Sequence, residues 1–312
     1  MACGINSHQN IAQSEISCIF APSYFINRRA MRRRALLPAA LLVLMLIWTT
    51  VSREWKPVTG DTLTADTVAA DTTPVDTMEA LISERPMPKS ADELFDDFIF
   101  NFAANKRLQS KRIVFPLPVR EGEITMSIEE DDWEMERFFM QQGYYTIILE
   151  SRGQLELSKD TSVCNVVVEK MDMANDRVKM YNFERLAGQW HLTWIEYHQL
   201  KDNANADFLM FYERFATDSV EFVNSLNDPV HFTGPDPEDE FSDISADISP
   251  GEWRELGLDE LPSGLIYNIL YGQKYTRDDI RVLIIRGIAN GLEAELTFRL
   301  VSGAWKLVQV CV

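Results

Sequence analysis

Cysteine is scarce in this chain: four in 312 residues, far too few for a disulfide framework. Basic residues are also in deficit, with 30 Lys and Arg against 48 Asp and Glu and a formal charge of −18. That balance argues against a nucleic-acid-binding surface. Glycine and proline number only 14 and 13, which excludes collagen-like and low-complexity chains. No Gly-x-Gly-x-x-Gly, phosphate-binding Gly-x-x-x-x-Gly-Lys, His-Glu-x-x-His or Gly-x-Ser-x-Gly occurs, so no cofactor is implied. The four histidines lack metal-ligand spacing, and no metal site is expected. What is present is 46% hydrophobic and 11% aromatic residues. At about 100–200 residues per domain, that material suffices for two domains with real cores.

Charge is unevenly spread. Residues 1–55 hold six arginines and two glutamates, leaving 24 basic and 46 acidic groups, or −22, on residues 56–312. Five of the arginines lie just before residues 35–51 (ALLPAALLVLMLIWTTV), which carry no charge. A basic flank followed by an apolar run marks an export signal or signal anchor. Seventeen helical residues span about 25 Å, slightly short of a ~30 Å hydrocarbon core. Trp48, the absence of an Ala-x-Ala site, and Arg53 and Lys56 beyond the run favour a retained anchor; cleavage after Ser52 is the alternative. The expected layout is a basic cytoplasmic tail at 1–34, a transmembrane anchor at 35–51 in the cytoplasmic membrane, and an exported remainder. Residues 1–30 are either an over-extended start ahead of Met31 or part of that tail. No cysteine follows until Cys164, which excludes a lipoprotein anchor.

Residues 52–89 are rich in Thr, Asp, Ala and Pro and read as a disordered stalk in the cell envelope. Asp-Thr recurs every five residues, at Asp61-Thr62, Asp66-Thr67, Asp71-Thr72 and Asp76-Thr77. Each is followed by Leu63, Val68, Thr73 or Met78. These triplets resemble the acceptor of a bacterial O-glycosylation system, making Thr62, Thr67, Thr72 and Thr77 candidate sugar sites. A solvated low-complexity spacer is the plainer alternative.

The remainder repeats itself. FERLAGQWHLTWIEY at 183–197 aligns with FRLVSGAWKLVQVCV at 298–312, matching Phe183 with Phe298, Gly188 with Gly303, Trp190 with Trp305 and Leu192 with Leu307. The turn Asn175-Asp176 falls on Asn290-Gly291 at the same offset of 115. FIFNFA at 98–103 matches FYERFA at 211–216, and Trp133 lies 120 residues before Trp253. Matches in one order imply a duplicated domain, at 90–200 and 201–312. Ser90-Ala91-Asp92-Glu93 reads as a capping box, followed by an apolar helical stripe of Leu94, Phe95, Phe98 and Phe102. Leu209, Tyr212, Phe215 and Ala216 repeat that stripe, opened less decisively by Ala206-Asp207. Alternating segments at 163–170, 178–186, 189–197, 281–289, 292–301 and 304–312 predict strands. Helices first and an antiparallel meander last is an α+β plan.

That order, closed by Phe-x-x-x-x-Gly-x-Trp-x-Leu, resembles the nuclear transport factor 2-like fold, taken twice over 90–312. The SADELFDDFIFNFA opening and the IVFPLPV segment at 113–119 are also similar to a family of bacterial envelope proteins of unknown function. The resemblance implies curved sheets wrapped by helices around cone-shaped pockets, which some members use for isomerase or hydrolase chemistry and many only for binding or dimerising. Pocket-lining aromatics would then be Phe98, Phe102, Tyr212 and Phe215, though as aromatic stripes they are core before they are ligand contacts.

Other chemistry is thin. His191 is matched by Lys306 in the repeat, a solvated pairing. Glu129-Glu130-Asp131-Asp132 reads as a solvated helix start. Asp236 to Glu240, with Asp243 and Asp247, reads as a mobile acidic loop lacking the glycine and closing glutamate of a calcium hand. Cys164 and Cys311 are expected as small buried residues rather than an interdomain disulfide. The leading expectation is therefore a non-catalytic, membrane-held module that binds a small apolar ligand, an envelope protein or a second copy of itself. A pocket enzyme, needing an inward acid paired with a Tyr or His donor, and a purely structural spacer are the alternatives.

Overall fold

The computed structural model describes residues 87–236, 239–253, 261–288 and 291–312. The tail at 1–34, the anchor at 35–51, nearly all of the stalk at 52–89 and the four candidate sugar threonines lie outside the described residues. Among the described residues, no helix is long and apolar enough to cross a membrane.

The fold is α+β. A first helical pair, α1 (Phe95–Ala104) and α2 (Lys106–Arg112), precedes strands β1 (Leu117–Glu121), β2 (Ile124–Ile128), β3 (Tyr144–Leu149), β4 (Asn165–Asp172), β5 (Arg177–Leu186) and β6 (Gln189–Gln199). A second pair, α3 (Ala206–Thr217) and α4 (Ser219–Asn224), precedes β7 (Leu226–Asp236), β8 (Asp239–Ile248), a short helix α5 (Pro250–Trp253), β9 (Leu265–Leu270), β10 (Ile280–Gly287), β11 (Glu293–Val301) and β12 (Ala304–Cys311). The predicted meander strands all form, within one or two residues of expectation. Their hairpins turn at Ala187-Gly188 and Ser302-Gly303, where all four residues have positive φ, the geometry of a two-residue turn between twisted strands.

The capping box does not form. Residues 89–92 make a 3-10 turn without a side-chain cap, and α1 starts only at Phe95, with no side-chain cap at Leu94; within the turn Asp92 is buried. Arg112 donates to both its carboxylate oxygens at 2.8 Å, and the Trp190 amide adds a third bond at 3.2 Å. These bonds offset the desolvation of a buried charge better than a solvent-facing cap would. At α4 a side-chain cap does form: Asp218 Oδ1 accepts from the Val220 and Glu221 amides. The acidic stretch expected as a loop is instead strand β8, paired with β7 from Val230↔Ile248 to Asp236↔Asp239. Residues 237–238 at its turn are not described. Cys311 is buried but Cys164 is exposed, against expectation, and the two are not joined in a disulfide.

All twelve strands join in one sheet, ordered β2-β1-β6-β5-β4-β9-β3-β10-β11-β12-β7-β8. The order mirrors about its middle, with one exchange. Strand β3 leaves the first half of the chain to pair with β10, and β9 leaves the second half to pair with β4. They meet in a parallel bridge at Thr146↔Asn268. Parallel pairings also occur at β1–β6 and β7–β12, each the second pairing in from an edge of the sheet.

The sheet separates two cores. Tyr145, Ile147, Leu149, Tyr267, Ile269, Val282 and Ile284 belong to the core under α1. Their alternating neighbours Ile148, Ile266, Leu283 and Ile285 belong to the core under α3. Successive strand side chains point to opposite faces, so the two helical layers cover opposite faces of a shared sheet.

Candidate functional site

On the α1 face, four side chains form a transverse row across neighbouring strands. Tyr267 (β9) pairs in register with Lys170 (β4), Lys170 with Lys179 (β5), and Lys179 with Tyr197 (β6). Lys170 and Lys179 share this face with Val168 and Tyr181 because each lies two residues along its strand. The ammonium of Lys170 lies 5.6 Å from the Tyr267 ring centroid, and that of Lys179 lies 4.5 Å from Tyr181 and 5.8 Å from Tyr197. At the open end Arg177 stacks on Tyr197 at 4.1 Å and pairs with Glu121 at 3.0 Å.

Glu136 closes the row from above. It sits between two short 3-10 turns, and its backbone is held at both ends by Gln109. The Glu136 amide donates to Gln109 Oε1 at 3.1 Å, and Gln109 Nε2 donates to the Glu136 carbonyl at 2.7 Å. Trp133 Nε1 also donates to Gln109 Oε1, and Gln109 Nε2 reaches the Phe102 carbonyl. Gln109 is fully buried and satisfied on both ends, which immobilises the segment. The Glu136 carboxylate accepts from the Tyr181 hydroxyl and lies 3.5 Å from Lys170 Nζ and 3.7 Å from Lys179 Nζ. Burial works against its charge, but Tyr181 and the two lysines outweigh it and hold the carboxyl below the usual range. Burial pushes Lys179 down, partly opposed by Glu136, and pushes the Tyr181 hydroxyl well up.

A second cluster joins the two halves on the same face. Asp96 of α1 accepts from the Tyr271 hydroxyl and lies 3.6 Å from Arg286, which donates to Glu293 at 2.7 Å. Burial raises the Asp96 carboxyl despite Tyr271 and Arg286. On the opposite face, at the seam of the exchanged strand, Glu169 is fully enclosed. Asn268 and Asn203 each donate an amide to it at 2.7 Å, while Asn268 Oδ1 takes the Ile148 amide at 2.9 Å. Burial raises the Glu169 carboxyl.

Phe98 and Phe102 lie in the core under α1, with Phe183 edge-on to both at 5.9 and 5.3 Å. Tyr212 and Phe215 lie in the core under α3, where Phe298 is edge-on at 6.1 and 5.2 Å. All four are fully buried. His191 bonds its own neighbour's carbonyl at Gln189, His198 approaches Glu196, and His231 approaches Asp247. Among the described residues no group of His, Cys, Asp and Glu is placed to hold a metal ion. Sequence reasoning did not single out Lys170, Lys179, Glu136 or Tyr181. The signal available was Lys170 and Lys179 on strands with the inward parity of Val168 and Tyr181.

The model of a family described as a domain of unknown function (DUF4348) matches residues 74–311. The chain belongs to this family. The match takes in every residue of the row and both cores, and begins beyond the apolar run at 35–51. A crystal structure of an NTF2-like protein from Bacteroides fragilis NCTC 9343 is similar at 36% identity and a TM-score of 0.67, covering 72% of this chain and 98% of that one. An NTF2-like protein of unknown function from Silicibacter pomeroyi DSS-3 is 15% identical, with a TM-score of 0.22, covering 35% of this chain and 90% of that one. No curated protein matches the chain. The family and its NTF2-like neighbour account for the helix-on-sheet architecture; neither assigns a role to the lysine–tyrosine row.

Proposed function

We propose that this protein is a non-catalytic binding module built of two tandem NTF2-like units, 90–200 and 201–312, which have exchanged strands β3 and β9. In this reading residues 35–51 hold it in the cytoplasmic membrane and 52–89 form the stalk, so that the folded part stands in the cell envelope. The basic flank ahead of an uncharged run supports the tether, and the mirrored strand order supports the two units. Binding rather than turnover is supported by one observation: each enclosed acid is already engaged by fixed partners. Glu136 has Tyr181 and two lysines, Asp96 has Tyr271 and Arg286, and Glu169 has Asn268 and Asn203. A general base needs a carboxylate facing substrate with its pKa near the working pH; Glu136 is held in the opposite direction, and Asp96 and Glu169, which burial raises, are taken up by Tyr271 and by Asn268 and Asn203.

A pocket enzyme is the second reading, favoured by the acid–phenol pairs Glu136–Tyr181 and Asp96–Tyr271. Native mass spectrometry of the full chain, taken gently from an envelope extract, separates the readings. A small-molecule adduct that survives buffer exchange and leaves on unfolding is the expected result. A bare monomer would favour a spacer, and a dimer without adduct a protein-binding surface. Chemical conversion of the released ligand on incubation would favour the enzyme.

A further inference from the structure

We propose that the Tyr267–Lys170–Lys179–Tyr197 row is a recognition site for a small carboxylate that carries a flat apolar body. The inference rests on the binding-module reading and names its ligand class. Three observations carry it. The first is donor capacity. Two ammonium groups bring three N–H donors each, yet the closest carboxylate oxygens of Glu136 stand at 3.5 and 3.7 Å, longer than a charge-assisted bond of about 2.7–2.9 Å. The second is charge. Lys170 and Lys179 against Glu136 leave one positive charge in the recess, while Arg177 and Glu121 cancel at its rim. A monoanion completes that count, and a dianion overshoots it. The third is shape and exposure. Lys170 and Lys179 side chains keep 30% and 23% of their surface exposed and Glu136 keeps 18%, so the lysine centre of the row is partly open, while Tyr267 is buried at its inner end. Tyr197 places a half-buried ring at the row's mouth, already stacked by Arg177 at 4.1 Å, so that a flat ligand would meet its edge and the apolar stem of Arg177.

The rest of the molecule makes this placement unusual. A chain of formal charge −18 repels anions at long range, and the positions corresponding to Lys170 and Lys179 at the 115-residue offset are Ile285 and Ala294. These two also pair in register, but inside the second core. The lysines are thus not needed to build the frame. Gln109, by pinning the Glu136 backbone from both sides, keeps the counter-charge at a fixed standoff, which leaves the ammonium donors available instead of collapsing onto them.

The test is calorimetric titration of the full-length chain in detergent with benzoate, its neutral isostere benzamide, and phenyl phosphate. Because charge-assisted bonds are the discriminating contacts, benzoate is expected to bind at least about tenfold tighter than benzamide. Lys170→Met and Lys179→Met, which keep side-chain bulk, should each abolish that preference. Glu136→Gln adds one positive charge to the balance and should move the preference to phenyl phosphate by about tenfold. Should a Met variant fail to fold, a KCl series on the unaltered chain decides, since benzoate affinity falls with salt and benzamide affinity does not. Equal binding of benzoate and benzamide would overturn the carboxylate class while leaving a ligand-binding module intact. Absence of binding by all three probes to a chain with a normal thermal transition would overturn the site, and the native-mass adduct would still decide the module reading separately. An unchanged preference in Glu136→Gln would overturn the selection for monoanions.

Discussion

The two halves of the sheet share a frame and differ in what is fastened to it. Under α1, Phe95, Phe98 and Phe102 pack edge to face on Phe183, with Trp190 edge-on to Phe95. Under α3, Phe208, Phe211, Phe215 and Phe298 do the same beside Trp305. The polar fixtures are not shared. Gln109 receives Trp133 Nε1 in the first half, whereas the residue 113 positions on is Phe222, and Trp253 Nε1 has no hydrogen-bond partner among the described residues. At the seam, Asn268 faces Glu169 across β9–β4, while the mirrored pairing across β3–β10 is Ile147 with Ile284. Lys170 and Lys179 correspond to Ile285 and Ala294. Aromatic packing is thus common to both halves, whereas Gln109, Glu169, Lys170 and Lys179 have no polar counterpart in the second half, and their purpose is to be sought in fastening or in binding.

The sharpest way to break the comparison is to separate the halves. If β3 and β9 complete each other's sheet, residues 87–203 and 204–312 expressed apart should each lack a cooperative urea transition and recover it on mixing, followed by circular dichroism. Two independent transitions would show that each half closes its own sheet. A smaller effect is expected at the fixtures. Gln109→Leu strands the Trp133 and Glu136 donors and should cost about 3 kcal/mol in urea unfolding, since each stranded buried group costs about 1–3 kcal/mol. Phe222→Leu at the corresponding place swaps apolar for apolar and should cost less than about 1.5 kcal/mol. Equal losses would mean that Gln109 is merely filling space.

The smallest effect concerns the seam and depends on pH. The folded Glu169 carboxyl lies above its ordinary value of 4.5 because of burial. The native state therefore holds this proton more tightly than the unfolded chain does. Its contribution to stability is full below the unfolded value and is lost as pH rises through the raised folded value. Glu169→Gln, which keeps shape and removes the titration, should flatten that part of the stability–pH curve, measured as the difference from the unaltered chain between pH 4 and 9 in about unit steps. An unchanged slope would place the loss at Asp96 or Glu295, whose carboxyls burial also raises.

Much of this architecture was legible in the chain. The duplicated Phe/Gly/Trp/Leu pattern marked β5, β6, β11 and β12, because hairpins with one face on a core must alternate and must turn at residues tolerant of positive φ. Strands β2, β3, β8 and β9 escaped notice, and of these β3 (YYTIIL) and β9 (LIYNIL) are the exchanged ones. Buried on both faces, they read as continuous apolar runs without the two-residue period that betrays a strand. The capping-box reading of Ser90 to Glu93 also failed: the local pattern is met, but those residues form a 3-10 turn and the helix starts only at Phe95, with Asp92 of that turn held by Arg112, twenty residues on.

The amino-acid sequence by itself determined the α+β class, the repeat, the hairpin turns and the two aromatic stripes, all of which follow from periodicities of a few residues. Tertiary structure alone decided that the strands form one sheet, that β3 and β9 change places, and that Glu136 stands over Lys170 and Lys179. The first two outcomes depend on pairings between residues far apart in the chain, such as Thr146 with Asn268, and the third on Glu136 meeting strands that come later in the chain. Backbone hydrogen bonding is the same for any pair of strands, so only the fit of both cores at once could select those partners.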